Sequence, residues 1–96
     1  MSISRHILNR RKEILRLAAA HGARNVRVFG SAARGQAGPD SDVDILIDLD
    51  SDHSLFDVGG LLMDLQDLLG RKVDVVTESA LHWYIRDRVL QEAVPL

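Results

Sequence analysis

Two aspartates one residue apart, Asp42 and Asp44, open an apolar run from Val43 to Leu49. In a strand alternate side chains share a face. Asp42 and Asp44 would therefore point one way, and Val43, Ile45, Ile47 and Leu49 the other way, into a core. Two carboxylates on one face repel, and keeping both ionised is costly unless a cation lies between them. With oxygen donors only and no cysteine in the chain, the cation expected is hard: magnesium or manganese. The alternative is a solvated strand end, since Asp-x-Asp is a common tripeptide. A calcium loop starting at Asp40 is a rival reading that fails. Its sixth position is Ile45, where the turn needs glycine, and its twelfth is Ser51, where a glutamate is needed. Asp74 is a third acid inside an apolar segment, between Val73 and Val75. Such an acid lies either at a strand edge or at a site. Three carboxylates on adjacent strands of one sheet face would make a two-metal cluster.

Gly30-Ser31 stands where a short strand gives way to a helical turn. Glycine lets a phosphate approach the backbone, a helix start offers amides to an anion, and the Ser31 hydroxyl adds a donor. Taken alone the dipeptide is an ordinary turn. Arg34, one turn on, would add a charge-assisted contact to phosphate, or would simply be solvated.

The elements that must position these residues follow from periodicity. Ser4–His21 reads as a helix with Ile7, Ile14, Ala18, Leu8 and Leu15 as its apolar stripe and Gly22 as its stop. Val26–Phe29 is a short strand, Ser31–Gly35 a helical turn, and Gly38–Ser41 a turn. Val43–Leu49 is a strand. Leu55–Leu69 is a helix with Leu55, Val58, Leu62, Leu65 and Leu69 on one face, stopped at Gly70. Lys72–Thr77 is a third strand. Ser79 is expected to cap a last helix that runs to about Ala93 and ends before Pro95. The order implies an α/β fold, one small sheet with helices packed on it; periodicity does not say which strands pair.

At 96 residues the chain is expected to form a single domain, residues 1–96, with a modest core. Its 46% hydrophobic and 27% charged content is that of a globular protein. No apolar run approaches a membrane span, the N-terminus lacks an apolar signal segment, and zero cysteines exclude a disulfide framework. A cytoplasmic location is the expectation. A small enzyme of this size must borrow part of its site from a substrate or partner. Charge is unevenly spread. Residues 1–39 hold eight basic residues against Glu13, a net +7, and residues 40–78 hold eleven acids against Arg71 and Lys72, a net −9. The basic half is a solvated helix face or a surface for phosphates or an acidic partner. His6, His21, His53 and His82 are not spaced as metal pairs and read as surface or capping residues. Trp83 and Tyr84 read as packing or partner contacts, with automodification of Tyr84 as a lesser alternative.

Taken together, Gly30-Ser31, then Asp42-x-Asp44, then the strand-embedded Asp74 resemble the signature of nucleotidyltransferases related to DNA polymerase β. The blocks Val28–Gly35, Ser41–Leu46, Gly70–Thr77, Tyr84–Leu90 and Glu92–Leu96 are similar to the minimal nucleotidyltransferases of bacteria and archaea, over essentially the whole chain. The resemblance implies a palm-type fold with a small mixed sheet. It implies that Asp42 and Asp44 bind both of two magnesium or manganese ions, that Asp74 binds the catalytic one, and that Gly30 and Ser31 hold the triphosphate. It further implies an antitoxin that transfers AMP from ATP to a tyrosine of a HEPN ribonuclease toxin, in a hetero-oligomer, with no direct nucleic-acid binding and no membrane. A module that neutralises its partner by contact alone is one alternative; a nucleotidyltransferase acting on another acceptor is a second. Nothing in the residues themselves reads the base of the nucleotide.

Overall fold

The run Val43–Leu49 becomes the strand around which the sheet is built. In the computed structural model, which describes residues 3–35 and 42–96, β1 (Ala23–Phe29) pairs antiparallel with β2 (Val43–Leu49), and β3 (Val73–Thr77) lies parallel to β2 on its other side. A two-residue β4 (Val94–Pro95) pairs antiparallel with β1, giving a mixed sheet in the order β3-β2-β1-β4. Parallel neighbours need a crossover, and α3 (Leu55–Leu69) supplies it between β2 and β3. Among the described residues, no helix is long and apolar enough to cross a membrane.

One face of the sheet carries the core. Val28, Val43, Ile45 and Ile47 are fully buried there against Ile7, Ile14 and Leu61. Leu46 is equally buried on the opposite face, so β2 is covered on both sides, with the 3-10 turn Glu78–Ala80 packed against it. On that second face Arg27 lies almost wholly buried between Asp48 (3.1 Å) and Glu78 (3.3 Å). Sequence reading counts Arg27 as one more positive charge; the fold makes it the centre of an ion-pair network.

α3 starts with a capping box. Ser54 accepts from the amide of Phe56, and Asp57 reaches back to the amide of Ser54 at 2.9 Å. That hydrogen bond, aided by His53, holds the Asp57 carboxyl below the usual carboxylate range. α3 ends at Gly70, whose left-handed backbone suits glycine. In mid-helix, a β-carbon on Gly59 would have no described neighbour within 4 Å, although glycine there costs about 1 kcal/mol of helix propensity relative to alanine.

Several boundaries differ from expectation. The first helix divides at Arg10 into α1 (Arg5–Asn9) and α2 (Arg11–Ala20). The Ser4 amide donates to the carbonyl of Ala32 at 2.9 Å, tying the start of α1 to the turn after β1. Ile7 and Ile14, two helical turns apart, still both reach the core. β1 begins at Ala23, three residues early, because a register shift between Arg24 and Arg27, with Asn25 at φ 52°, lets the strand continue past an irregularity that breaks its alternation. Ser79 lies in the 3-10 turn. The cap of α4 (Trp83–Glu92) is His82, whose Nδ1 accepts from the amide of Tyr84 at 3.1 Å. Pro95 does not merely stop the helix; it pairs with β1. Trp83 and Tyr84 do not pack inside the chain, each being 77% exposed. The expected turn at Gly38–Ser41 lies outside the described residues.

Candidate functional site

Three elements meet at one end of the sheet: the end of β1, the start of β2 and the start of β3. Asp44 and Asp74 are each the second residue of their strand, and the parallel register sets them side by side as Cα partners. Adjacent strands lie about 4.8 Å apart, so their carboxylates are neighbours on the face turned away from the α3 core. On the other side of Asp44, the antiparallel register places Phe29, the last residue before Gly30.

Gly30 opens a 3-10 turn, Gly30–Ala32, with φ +71°. Its carbonyl accepts from the amides of Ala33 (3.1 Å) and Arg34 (3.3 Å). A β-carbon at Gly30 would collide with the Asp44 carboxylate. The glycine is thus needed twice, for its left-handed backbone and for the room it leaves beside Asp44. Gly30→Ala is expected to cost roughly 1–2 kcal/mol from backbone strain alone. At roughly 4–8 °C of thermal midpoint per kcal/mol, calorimetry would resolve it.

Burial pushes the Asp44 carboxyl above the usual carboxylate range. The negative charges of Asp74 and then Asp42 push it further, and Arg34 acts in the opposite direction. The four side chains expected from sequence to cooperate therefore share one electrostatic neighbourhood. Asp42 precedes β2, is exposed, and faces Lys72 at 3.9 Å. Arg34 is ion-paired with Glu92 near the end of α4. Ser31, half-buried, is the second residue of the turn. Sequence reading had no signal for Glu92 as the partner of Arg34, because the two are 58 residues apart.

Among the described residues, no three carboxylate or imidazole side chains converge closely enough to grip an ion. Asp42 faces Lys72 at 3.9 Å yet still raises the Asp44 pKa through its charge. The donor set nevertheless suits a hard divalent cation. It is all oxygen, burial and then the charges of Asp74 and Asp42 raise the Asp44 pKa so that a cation there would relieve it, and Gly30 leaves that carboxylate clear on its near side. The histidines are elsewhere. His21 bonds Asp64 at 2.7 Å, His53 faces Asp57 at 3.3 Å, and His6 bonds the Leu69 carbonyl.

Residues 8–96 match the family model of the nucleotidyltransferase domain. The protein adenylyltransferase MntA of Thermococcus cleftensis is 47% identical over 73 residues, which make up 76% of this chain and 74% of that protein. A solved structure described provisionally as a minimal nucleotidyltransferase superposes with a TM-score of 0.85 at 47% identity, covering 94% of this chain and 92% of that one. A toxin–antitoxin crystal structure with AMP-PNP shares the fold at 20% identity, with a TM-score of 0.76 over 88% of this chain and 69% of that one. By sequence family and by fold, the chain belongs to the nucleotidyltransferases, in their minimal form.

Proposed function

We propose that this nucleotidyltransferase moves AMP from ATP onto a hydroxyl, that of a tyrosine, on a partner HEPN ribonuclease toxin and thereby neutralises it as an antitoxin. The observation that carries the reading is the register of Asp44 with Asp74 beside the Gly30–Ser31 turn. The adenylyltransferase name of the T. cleftensis relative and the toxin–antitoxin neighbour with AMP-PNP support it.

In this reading the acceptor oxygen bonds to the α-phosphorus as the bond to the bridging oxygen breaks, and pyrophosphate leaves. Asp42, Asp44 and Asp74 would hold two magnesium ions, which when bound neutralise the triphosphate and lower the pKa of the attacking hydroxyl. Gly30 admits the β- and γ-phosphates to the backbone, and the Ser31 hydroxyl donates to them. Arg34 adds a charge-assisted contact while Glu92 fixes its guanidinium, which has five donors to share. Asp74, the more exposed of the paired acids, accepts the proton of the attacking hydroxyl. Fixed charges and positioning supply most of the rate gain.

Incubation with ATP, magnesium and the toxin should leave the toxin heavier by one AMP residue per modified tyrosine. The Asp42→Asn, Asp44→Asn double variant should give no modification and no magnesium-dependent ATP binding by calorimetry, with its fold intact by circular dichroism. If that variant protects cells from the toxin as well as the wild type does, contact and not chemistry neutralises the partner.

A further inference from the structure

α3 buries Leu61, Leu65 and Leu69 and leaves Leu55, Phe56 and Met63 bare on its outer side, at 75%, 90% and 65% exposure. At about 100° per residue these three fall within roughly a third of the helix circumference, with Gly59 between them. Together with Gly59 and Gly60 they line a concavity of about 420 Å³. Gly60 is accounted for within the chain, because a β-carbon there would press on the His21 ring. Gly59 is not: its β-carbon position is open. A helix that surrenders propensity at an open position, and recovers nothing from the described residues of its own chain, gains if another backbone approaches there.

The charged side chains of α3 are all acidic. The helix itself, Leu55–Leu69, carries Asp57, Asp64 and Asp67 and no lysine or arginine. Asp67 continues the outer face one turn beyond Met63, and Asp57 and Asp64 run along its flank. A second copy docked through the same face would bring acid against acid, and an anionic bilayer would be repelled. We propose that this face of α3 is the docking groove for an amphipathic helix of another protein, with apolar anchors entering the Gly59 notch and lysine or arginine along its rim. The proposal rests on the reading that the chain acts on a protein partner. α3 packs on the sheet face opposite Asp44 and Asp74, so a helix held there leaves the catalytic edge open to the hydroxyl that must reach it.

The probe is a fluorescein-labelled helical peptide with leucine at helical spacing and lysine elsewhere, read by anisotropy, beside the same peptide with glutamate for lysine. The lysine peptide should bind and the glutamate peptide should not. Phe56→Glu and Gly59→Leu should each weaken binding at least about tenfold, while both variants bind magnesium and ATP as the wild type does. Gly59→Leu should also melt higher than the wild type, which separates a filled notch from a damaged fold. Lysine-peptide binding that ignores Gly59→Leu would reduce the interaction to charge alone and overturn the proposal. So would a wild-type dimer in sedimentation that Phe56→Glu dissociates, since the occupant would then be a second copy. Loss of AMP transfer with peptide binding intact speaks against the catalytic reading and leaves the groove standing; the converse result removes the groove and leaves the chemistry.

Discussion

Asp44→Asn is expected to make the cation-free protein more heat-stable while reducing AMP transfer by about 10³-fold or more, a loss of roughly 4 kcal/mol in transition-state stabilisation. Both effects come from one cause. The folded protein holds the Asp44 proton more tightly than the unfolded chain does, through burial and then the charges of Asp74 and Asp42. A carboxyl with a raised folded pKa costs stability as pH rises through the unfolded value and then through the folded one, and the cost is complete above both. At neutral pH asparagine escapes it, so the variant should melt higher. Below about pH 3, roughly a unit under the ordinary aspartate value, the difference should vanish. Magnesium with ATP should raise the wild-type midpoint and leave that of the variant unchanged. Differential scanning fluorimetry across pH, with and without the cation, checks all of this. A variant less stable than the wild type at pH 7 would mean that Asp44 is held by favourable contacts, and the strained-carboxylate account would fail.

Asp74→Asn is expected to separate binding from chemistry. Asp74 is exposed where Asp44 is half-buried, and in the proposed reaction it serves the attacking hydroxyl and not the triphosphate. Its loss should therefore lower kcat by about 10²–10⁴-fold, the span of general-base contributions, with the ATP dissociation constant changed by less than about threefold. A group that acts only in the transition state shows that pattern. Single-turnover transfer to the toxin and calorimetry with ATP are the two measurements. If rate and affinity fall by similar factors, Asp74 is a general ligand for the nucleotide–metal complex.

The candidate site was legible in the sequence to the extent that its geometry depends on alternation. Val43, Ile45 and Ile47 are apolar at every second position, which turns Asp44 away from the core wherever β2 sits. Asp74 follows the same logic between Val73 and Val75. Which strands pair was not legible, because alternation carries no address, and the pairing of Asp44 with Asp74 depends on it. Leu46 shows a further limit. It lies on the aspartate face yet is fully buried, since the covering turn arrives from residues more than 30 positions later. Long-range partners were the commonest omission. Arg27 with Asp48 and Glu78, and Arg34 with Glu92, are joined by tertiary folding and leave no local pattern. The capping of α4 was missed for a different reason: Ser79 is the better cap by type, but the 3-10 turn consumes it and His82 takes the position.

The Asp44–Asp74 register also makes the hydrophobic core a gauge for the proposed catalytic edge. A slip of β2 by a single residue would turn Val43, Ile45 and Ile47 out to water and bring the aspartates in. Such a molecule would forfeit most of its apolar burial and would be lost to aggregation before it could be assayed. Misalignment of the carboxylates and failure to fold are in this sense one event. Purified soluble protein should accordingly consist almost entirely of correctly aligned molecules, so that active-site titration returns close to one competent site per chain.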